Sequence, residues 1–462
     1  MRALLVILMI VGVSQITFSQ SKVFIDVGEA RVRKSVLAMP DFNYLGANKT
    51  SRNARTTREL FNVIKNDLEV SALFKFMNSK AFLEDSTKLG LRPAPGAANG
   101  FSFKNWTSIG AEFLIRGGAQ VAGNDLVLEI YAYYIPQGRL VIGKRYQAPK
   151  AQLRKLAHTF SNDLVKAVTG RESFFMHKIV ASVDRGPRSH REIYTMDWDG
   201  GNPKKITNHR SISISPAWSR NGEHVAYTSF ITRKIGKGPR KKNADIFMYN
   251  MKSGKRWLVS YRDGINSGSE FLPNNNELLV TLSLKRTADI YRMSLDGKKI
   301  TPITRGPGRA MNVEPAVAPN GRKIAFSSDR SGKPMIFTMN LDGSGIKRLT
   351  FAGHYNATPT WSPDSRKIAF AGFDKKKRNF DIFIVNSDGT GLARLTSAKK
   401  RSGKYSNNEE PAFSPDGRHV MFVSDRDGNK QLYMVNIDGS NERRITFDDK
   451  HYSKPKWGPV MK

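Results

Sequence analysis

The side chains that could do covalent chemistry are sparse. Cysteine is absent, which removes disulfides, thiolate metal sites, cysteine nucleophiles and a lipoprotein anchor. The histidines are scattered, and none falls in the His-Glu-x-x-His spacing that turns two imidazoles toward zinc. No Gly-x-Ser-x-Gly elbow lifts a serine over a sheet. His158 falls off the apolar face of its predicted helix and is expected to be solvated. Asp425, Asp427 and Gly428 look like part of a calcium loop, but the later ligands and closing glutamate of an EF-hand are missing, so a turn is expected. Gly306-Pro307-Gly308 is too short to cradle a phosphate. No catalytic residue, cofactor or metal is expected, and the chain is read as a binding protein rather than an enzyme.

What remains is charge. Lysine and arginine number 75 against 40 acidic residues, a formal net charge of +35. Such an excess suits anionic surroundings or an acidic partner. Residues 1–19 read as a secretory signal peptide: Arg2, an apolar run over 3–13 too short to span a bilayer, then small residues with Thr17 and Ser19 before the cut. An exported chain has no reason to meet nucleic acid, so none is expected as partner. No later segment is apolar for long enough to span a membrane.

The elements that must position any binding residues come from an internal repeat. From Glu410 the chain reads EPAFSPDGRHVMFVSDRDGNKQLYMVNIDGSNERRIT, and from Glu314 EPAVAPNGRKIAFSSDRSGKPMIFTMNLDGSGIKRLT, aligned without a gap. Further copies start near Thr358, Ser215 and, in degenerate form, Gly268. Each unit holds four short strands. Pro415 and Gly417 preset the first tight turn, and Asp438-Gly439 forms the second. A four-stranded unit of this period is a propeller blade. A sixth blade is split: KPKWGP from Lys454 supplies its first strand and residues 179–207 the rest. The closure pairs edges that would otherwise be exposed. The expected architecture is an α/β N-terminal domain followed by an all-β six-bladed β-propeller with a split closing blade.

The expected boundaries are 1–19 signal peptide, 20–33 partner-binding segment, 34–170 α/β domain, 171–177 linker and 178–462 propeller. In the α/β domain, residues 36–39, 112–115, 125–134 and 139–146 read as strands. Thr56 and Glu59 form a capping box that should start a helix. Leu153 to Val168 marks one face of a second helix stopped by Gly170.

The repeat, the tryptophans Trp218, Trp361 and Trp457 at one equivalent position, and the opening SKVFIDVGEARVRKSVLAMPDF resemble the TolB family of the Tol–Pal envelope system. Those tryptophans are expected to anchor blade to blade. The resemblance implies a monomeric periplasmic scaffold that binds the peptidoglycan-associated lipoprotein Pal, the inner-membrane protein TolA and other outer-membrane or peptidoglycan-associated proteins. It further implies roles in outer-membrane integrity and in envelope constriction at cell division. Propeller topology puts the short turns on one face, the bottom, and the variable connections on the other, the top. At the top mouth, Asn312, Glu314, Asn356, Thr358, Asn408 and Glu410 precede or begin first strands and are the implied Pal-binding residues. Insertions carrying Arg240, Lys241, Lys242, Lys376, Lys377 and Lys400 form a basic top rim, to be either solvated or steering a partner. Val23, Phe24, Ile25 and Asp26 lie in the implied TolA-binding segment. The alternative function is a channel that takes an anionic envelope glycan or small ligand.

Overall fold

The computed structural model describes residues 33–460, except 48, 86–87, 95–99, 187–189, 235–239 and 285–286. The expected signal peptide and Val23, Phe24, Ile25 and Asp26 therefore lie outside the described residues.

The N-terminal domain is a mixed sheet in the order β3-β1-β4-β5-β6, with β2 pairing β4. Its strands are β1 (Ser35–Ala38), β2 (Asn43–Tyr44), β3 (Phe74–Phe76), β4 (Phe113–Ala122), β5 (Asp125–Tyr134) and β6 (Arg139–Pro149). Helices α1 (Ser51–Val70), α2 (Phe103–Ser108) and α3 (Leu153–Thr169) complete it. Helix α1 starts earlier than the capping-box reading placed it. Thr50 is the cap, accepting from the Asn53 amide at 3.3 Å, whereas the Thr56 hydroxyl donates back to the Arg52 carbonyl at 3.1 Å. A threonine inside a helix takes the carbonyl four residues behind it and leaves no cap to make. Helix α3 ends at Gly170, whose φ of +71° closes the helix in the left-handed conformation.

Six four-stranded sheets follow. Blades 1 to 5 begin at Ile212, Asn266, Asn312, Asn356 and Asn408, and the sixth joins His451–Val460 to His177–Asp184, Glu192–Asp197 and Lys204–Lys205. The ring is thus closed by both ends of the propeller segment, through the antiparallel pairing of His451–Val460 with His177–Asp184. In five of the six blades a threonine fastens the outer strand: Thr207, Thr304, Thr350, Thr396 and Thr446 each accept a backbone amide of the third strand at 2.8–3.0 Å. Trp361 donates to the Ala316 carbonyl of the preceding blade at 3.0 Å and Trp457 to that of Ala412 at 3.3 Å, as blade anchors must. Trp218 is buried as well but packs on Gly458, where a Cβ would fall 2.6 Å from the indole.

The N-terminal domain sits on the bottom face, over the short turns. The expected solvated histidine is in fact at the centre of this seam: His158 is fully buried, with Nδ1 2.9 Å from Asp67 of α1. Trp198, in the turn after the third strand of blade 6, donates to the same carboxylate at 3.2 Å. A histidine off the helix's apolar stripe is expected to face water; this one faces the propeller, which supplies Trp198 beside it. Phe174 and Phe175, within the 171–177 segment, are also buried there, with Phe174 packed edge-on to Trp198 and Trp457. The bottom turns of blades 5 and 6 are therefore covered, those of blades 2 to 4 keep exposed residues, and the top mouth is left open.

Candidate partner-binding mouth

Every first strand carries a bulge, where its pairing with the second strand shifts register. At each bulge one residue adopts positive φ: Ser215 (52°), Gly268 (63°), Glu314 (55°), Thr358 (52°), Glu410 (58°) and Lys454 (49°). Only glycine takes this conformation without cost, and five of the six are not glycine. In five blades the next residue is proline, which fixes its own φ and bars the preceding residue from the right-handed helical region. A bulge of this kind re-aims a side chain. All six residues line one channel, a cavity of about 400 Å³.

Three carboxylates and two ammonium groups meet there. Lys454 Nζ lies 2.9 Å from Glu314 of blade 3, on the opposite side of the ring, and 3.8 Å from Glu410. Lys456 Nζ lies 3.2 Å from Glu270 of blade 2. Glu314 also accepts the Thr358 amide at 2.8 Å, and Glu410 the Lys454 amide at 2.6 Å. Burial opposes ionisation of Glu314, but the Lys454 charge and the hydrogen bonds outweigh it and hold the carboxyl below its usual range. Burial likewise opposes the charge on Lys454, and Glu314 and Glu410 outweigh it, so the ammonium stays protonated well above the usual lysine range.

Of the expected mouth residues, Glu314, Thr358 and Glu410 do line the channel. The three asparagines do not face it. Asn312, Asn356 and Asn408 are buried. Asn312 Nδ2 donates to Asp289 at 2.7 Å and Asn408 Nδ2 to Asp381 at 2.8 Å, each in the preceding blade, while Asn356 Nδ2 donates to Thr350 at 2.9 Å. They staple neighbouring blades, because a buried amide must find partners, and cannot touch a docking protein directly. The basic rim also divides. Arg240, Lys241 and Lys242 are exposed, but they belong to the long hairpin of blade 1, with Lys241 opposite Arg233, rather than to an irregular insertion. Lys376 is exposed in a turn. Lys377 donates to the neutral Ser397 hydroxyl at 2.7 Å and keeps its charge, whereas Lys400 is paired with Asp425 at 2.7 Å and its charge is offset. Asp427 is held by Tyr433 and by Arg444 at 3.1 Å, which makes this segment a braced turn.

Sequence reasoning missed Ser215, Glu270, Lys454 and Lys456. For Ser215 and Lys454 the signal was present: the residue before each first-strand proline is the one re-aimed into the channel. It also missed an apolar collar. The connections into blades 1 to 4 expose Ile212, Ile265, Met311 and Tyr355 at 43–46%. Among the described residues, the one cluster of histidine and acids spaced for a metal is His158, Asp197 and Asp199. Arg154 lies across both of these carboxylates, 3.2 Å from Asp197, and fills the role of the cation.

A family model described as the TolB beta propeller domain matches residues 165–404 and 375–462, and one described as the TolB amino-terminal domain matches 23–135. The chain belongs to the TolB family. A TolB homolog from Chlorobium luteolum is 31% identical over 77% of each chain. The Tol-Pal system protein TolB of Desulfosudis oleivorans is 30% identical over 66% of each. The crystal structure of TolB from Acinetobacter baumannii covers 95% of this chain and 100% of its own, with a TM-score of 0.74 at 22% identity. TolB proteins are non-enzymatic propeller proteins of the Tol–Pal system, and the scarcity of catalytic groups in the sequence accords with that. Among the described residues no helix is long and apolar enough to cross a membrane.

Proposed function

We propose that this protein is the periplasmic scaffold that couples inner-membrane Tol components to the outer envelope, binding the lipoprotein Pal at the top mouth of the propeller and TolA through residues 20–33. In this role it supports outer-membrane integrity and constriction at division. The observation that carries the reading is the strained ring at the open end of the channel. Five non-glycine residues held at positive φ at one level store strain of the kind found at ligand-binding sites, and an exposed apolar collar surrounds them. Glu314, Thr358 and Glu410 are the side chains offered to Pal, with Lys454 between the carboxylates. Three carboxylates against two ammonium groups weigh against an anionic glycan in the channel.

The test is a pull-down from native envelope with the full mature chain. Pal should co-purify, and Glu410→Gln should weaken the complex while leaving the melting temperature near that of the parent. Retention on isolated glycan without Pal would favour the channel-ligand alternative. Deleting residues 21–26 should abolish TolA binding and leave Pal binding intact; undiminished TolA binding would remove the segment from this role.

A further inference from the structure

Blades built from one repeat can be compared with each other. In blade 3, Arg330 follows the second strand and folds back over its own sheet. Its guanidinium carbon lies 5.4 Å from the Phe326 ring centre and 5.3 Å from that of Phe337, and Nη2 donates to Asn312 Oδ1 at 2.6 Å. Blade 5 repeats this with Arg426, at 5.8 Å from Phe422, 4.1 Å from Tyr433 and 3.0 Å from Asn408 Oδ1. In both, a planar N–H donor covers a ring pair and satisfies the buried asparagine. Ser328 adds a second donor in blade 3, with Oγ 2.9 Å from the same Oδ1.

Blade 4 has the receptor without the occupant. Phe370 and Phe383 stack with centres 5.7 Å apart and planes 17° apart. Asn356 is 2% exposed, and its Nδ2 is used, but the described residues offer no donor to Oδ1. Two sequence changes account for this. Gly372 stands where blades 3 and 5 have serine, and Asp374 stands where they have arginine. A cavity of about 320 Å³ remains, lined by Asn356 and both rings. Arg394 reaches in from the outer strand, 5.0 Å from the Phe383 ring and 2.5 Å from Asp374, without bonding Asn356.

We propose that this cavity is a binding site for an indole, the tryptophan side chain of a partner protein, presented by a segment with acidic residues on either side. The flat shape and the N–H donor are what the sister blades place over the same rings and amide. The local charge selects a neutral group, because Lys375, Lys376 and Arg394 line the cavity against Asp374 alone, and a second guanidinium there would be repelled. The same lysines, at the rim, suit carboxylates flanking the indole. The cavity lies apart from the channel, so the inference stands or falls separately from the reading of the mouth.

The experiment is calorimetric titration of the full mature chain with the peptide acetyl-Asp-Trp-Asp-amide and its analogues with Ala or Arg at the centre. The tryptophan peptide should bind at least about tenfold tighter than either analogue, a difference that one well-placed buried side chain can supply. Asp374→Arg ties a guanidinium to the position it holds in blades 3 and 5 and should abolish binding, with a lower melting temperature because Arg394 and the Lys376 and Lys377 amides lose Asp374 as partner. Lys375→Glu with Lys376→Glu, a surface change, should weaken the tryptophan peptide several-fold. Equal affinity for the tryptophan and alanine peptides would overturn the proposal, as would tighter binding of the arginine peptide, which would assign the cavity to a guanidinium. If Asp374→Arg fails to fold, the lysine pair decides: unchanged affinity in that variant also overturns it.

Discussion

At position 454 a lysine stands where blades 3 and 5 carry Glu314 and Glu410, and its ammonium lies between those two carboxylates. Lys454→Met should leave both acids partly buried without their cation, at a cost of about 1–3 kcal/mol, measured by urea unfolding at neutral pH. The pH dependence follows from the directions of the shifts. Glu314 is more acidic folded than unfolded, so its contribution is present above the ordinary glutamate value of 4.5 and is lost as pH falls through the folded value. Lys454 is less acidic folded, so its contribution is complete below the ordinary lysine value of 10.5 and is lost only as pH rises beyond it. The stability gap between parent and Lys454→Met should therefore be flat from about pH 6 to 9 and shrink below about pH 4.5. A gap that widens in acid would show that the ion pairs are not what the lysine contributes.

Helix α1 is the element that joins the two domains. Its last turns present Asp67 to His158 and Trp198, and the Val70 carbonyl accepts from His419 of blade 5 at 3.1 Å. Arg443 donates to Asn66 at 2.8 Å. Burial lifts the Asp67 carboxyl above its usual range against the pull of His158, while the carboxylate overcomes the burial of His158 and holds the imidazole's pKa up. Asp67→Ala strands two buried donors at once. It should cost about 3–5 kcal/mol and split a shared thermal transition into two, resolved by calorimetry. A single transition with an unchanged midpoint would mean that the seam does not depend on Asp67.

For the molecule as a whole, closure and charge are the two controlling features. Deleting residues 453–462 removes most of the inner strand of blade 6, with Lys454, Lys456 and Trp457, and exposes the edge of His177–Asp184. The truncated chain should melt lower and aggregate, as unpaired edges do; a monodisperse product with parental melting would contradict ring closure. The basic rim acts at longer range. Lys241→Glu, Lys242→Glu and Lys376→Glu together should slow association with an acidic partner at low salt and leave dissociation nearly unchanged, since rim charges act on encounter. Equal on-rates in surface plasmon resonance would leave the rim as a solvated face.

The sequence by itself determined the propeller. A recurring four-strand repeat, two copies of which align without a gap, with proline and glycine at recurrent turn positions, dictates the same blade in each copy, and the orphan strand at Lys454 has one place to pair. It also held most of the channel's ring, in the residues before each first-strand proline. Tertiary structure decided what each polar side chain faces. Asn312, Asn356 and Asn408 look like mouth residues in a linear reading, yet each is buried and turned to hydrogen bonds inside the ring. His158 looks solvated until the propeller covers it. The Lys454 pairing with Glu314 joins residues 140 apart in the chain, and no local pattern encodes which cation will lie opposite which acid. Periodicity reports the fold because backbone geometry repeats; the partners of a buried charge depend on how distant segments meet, and that is set only when the ring closes and the N-terminal domain docks on blades 5 and 6.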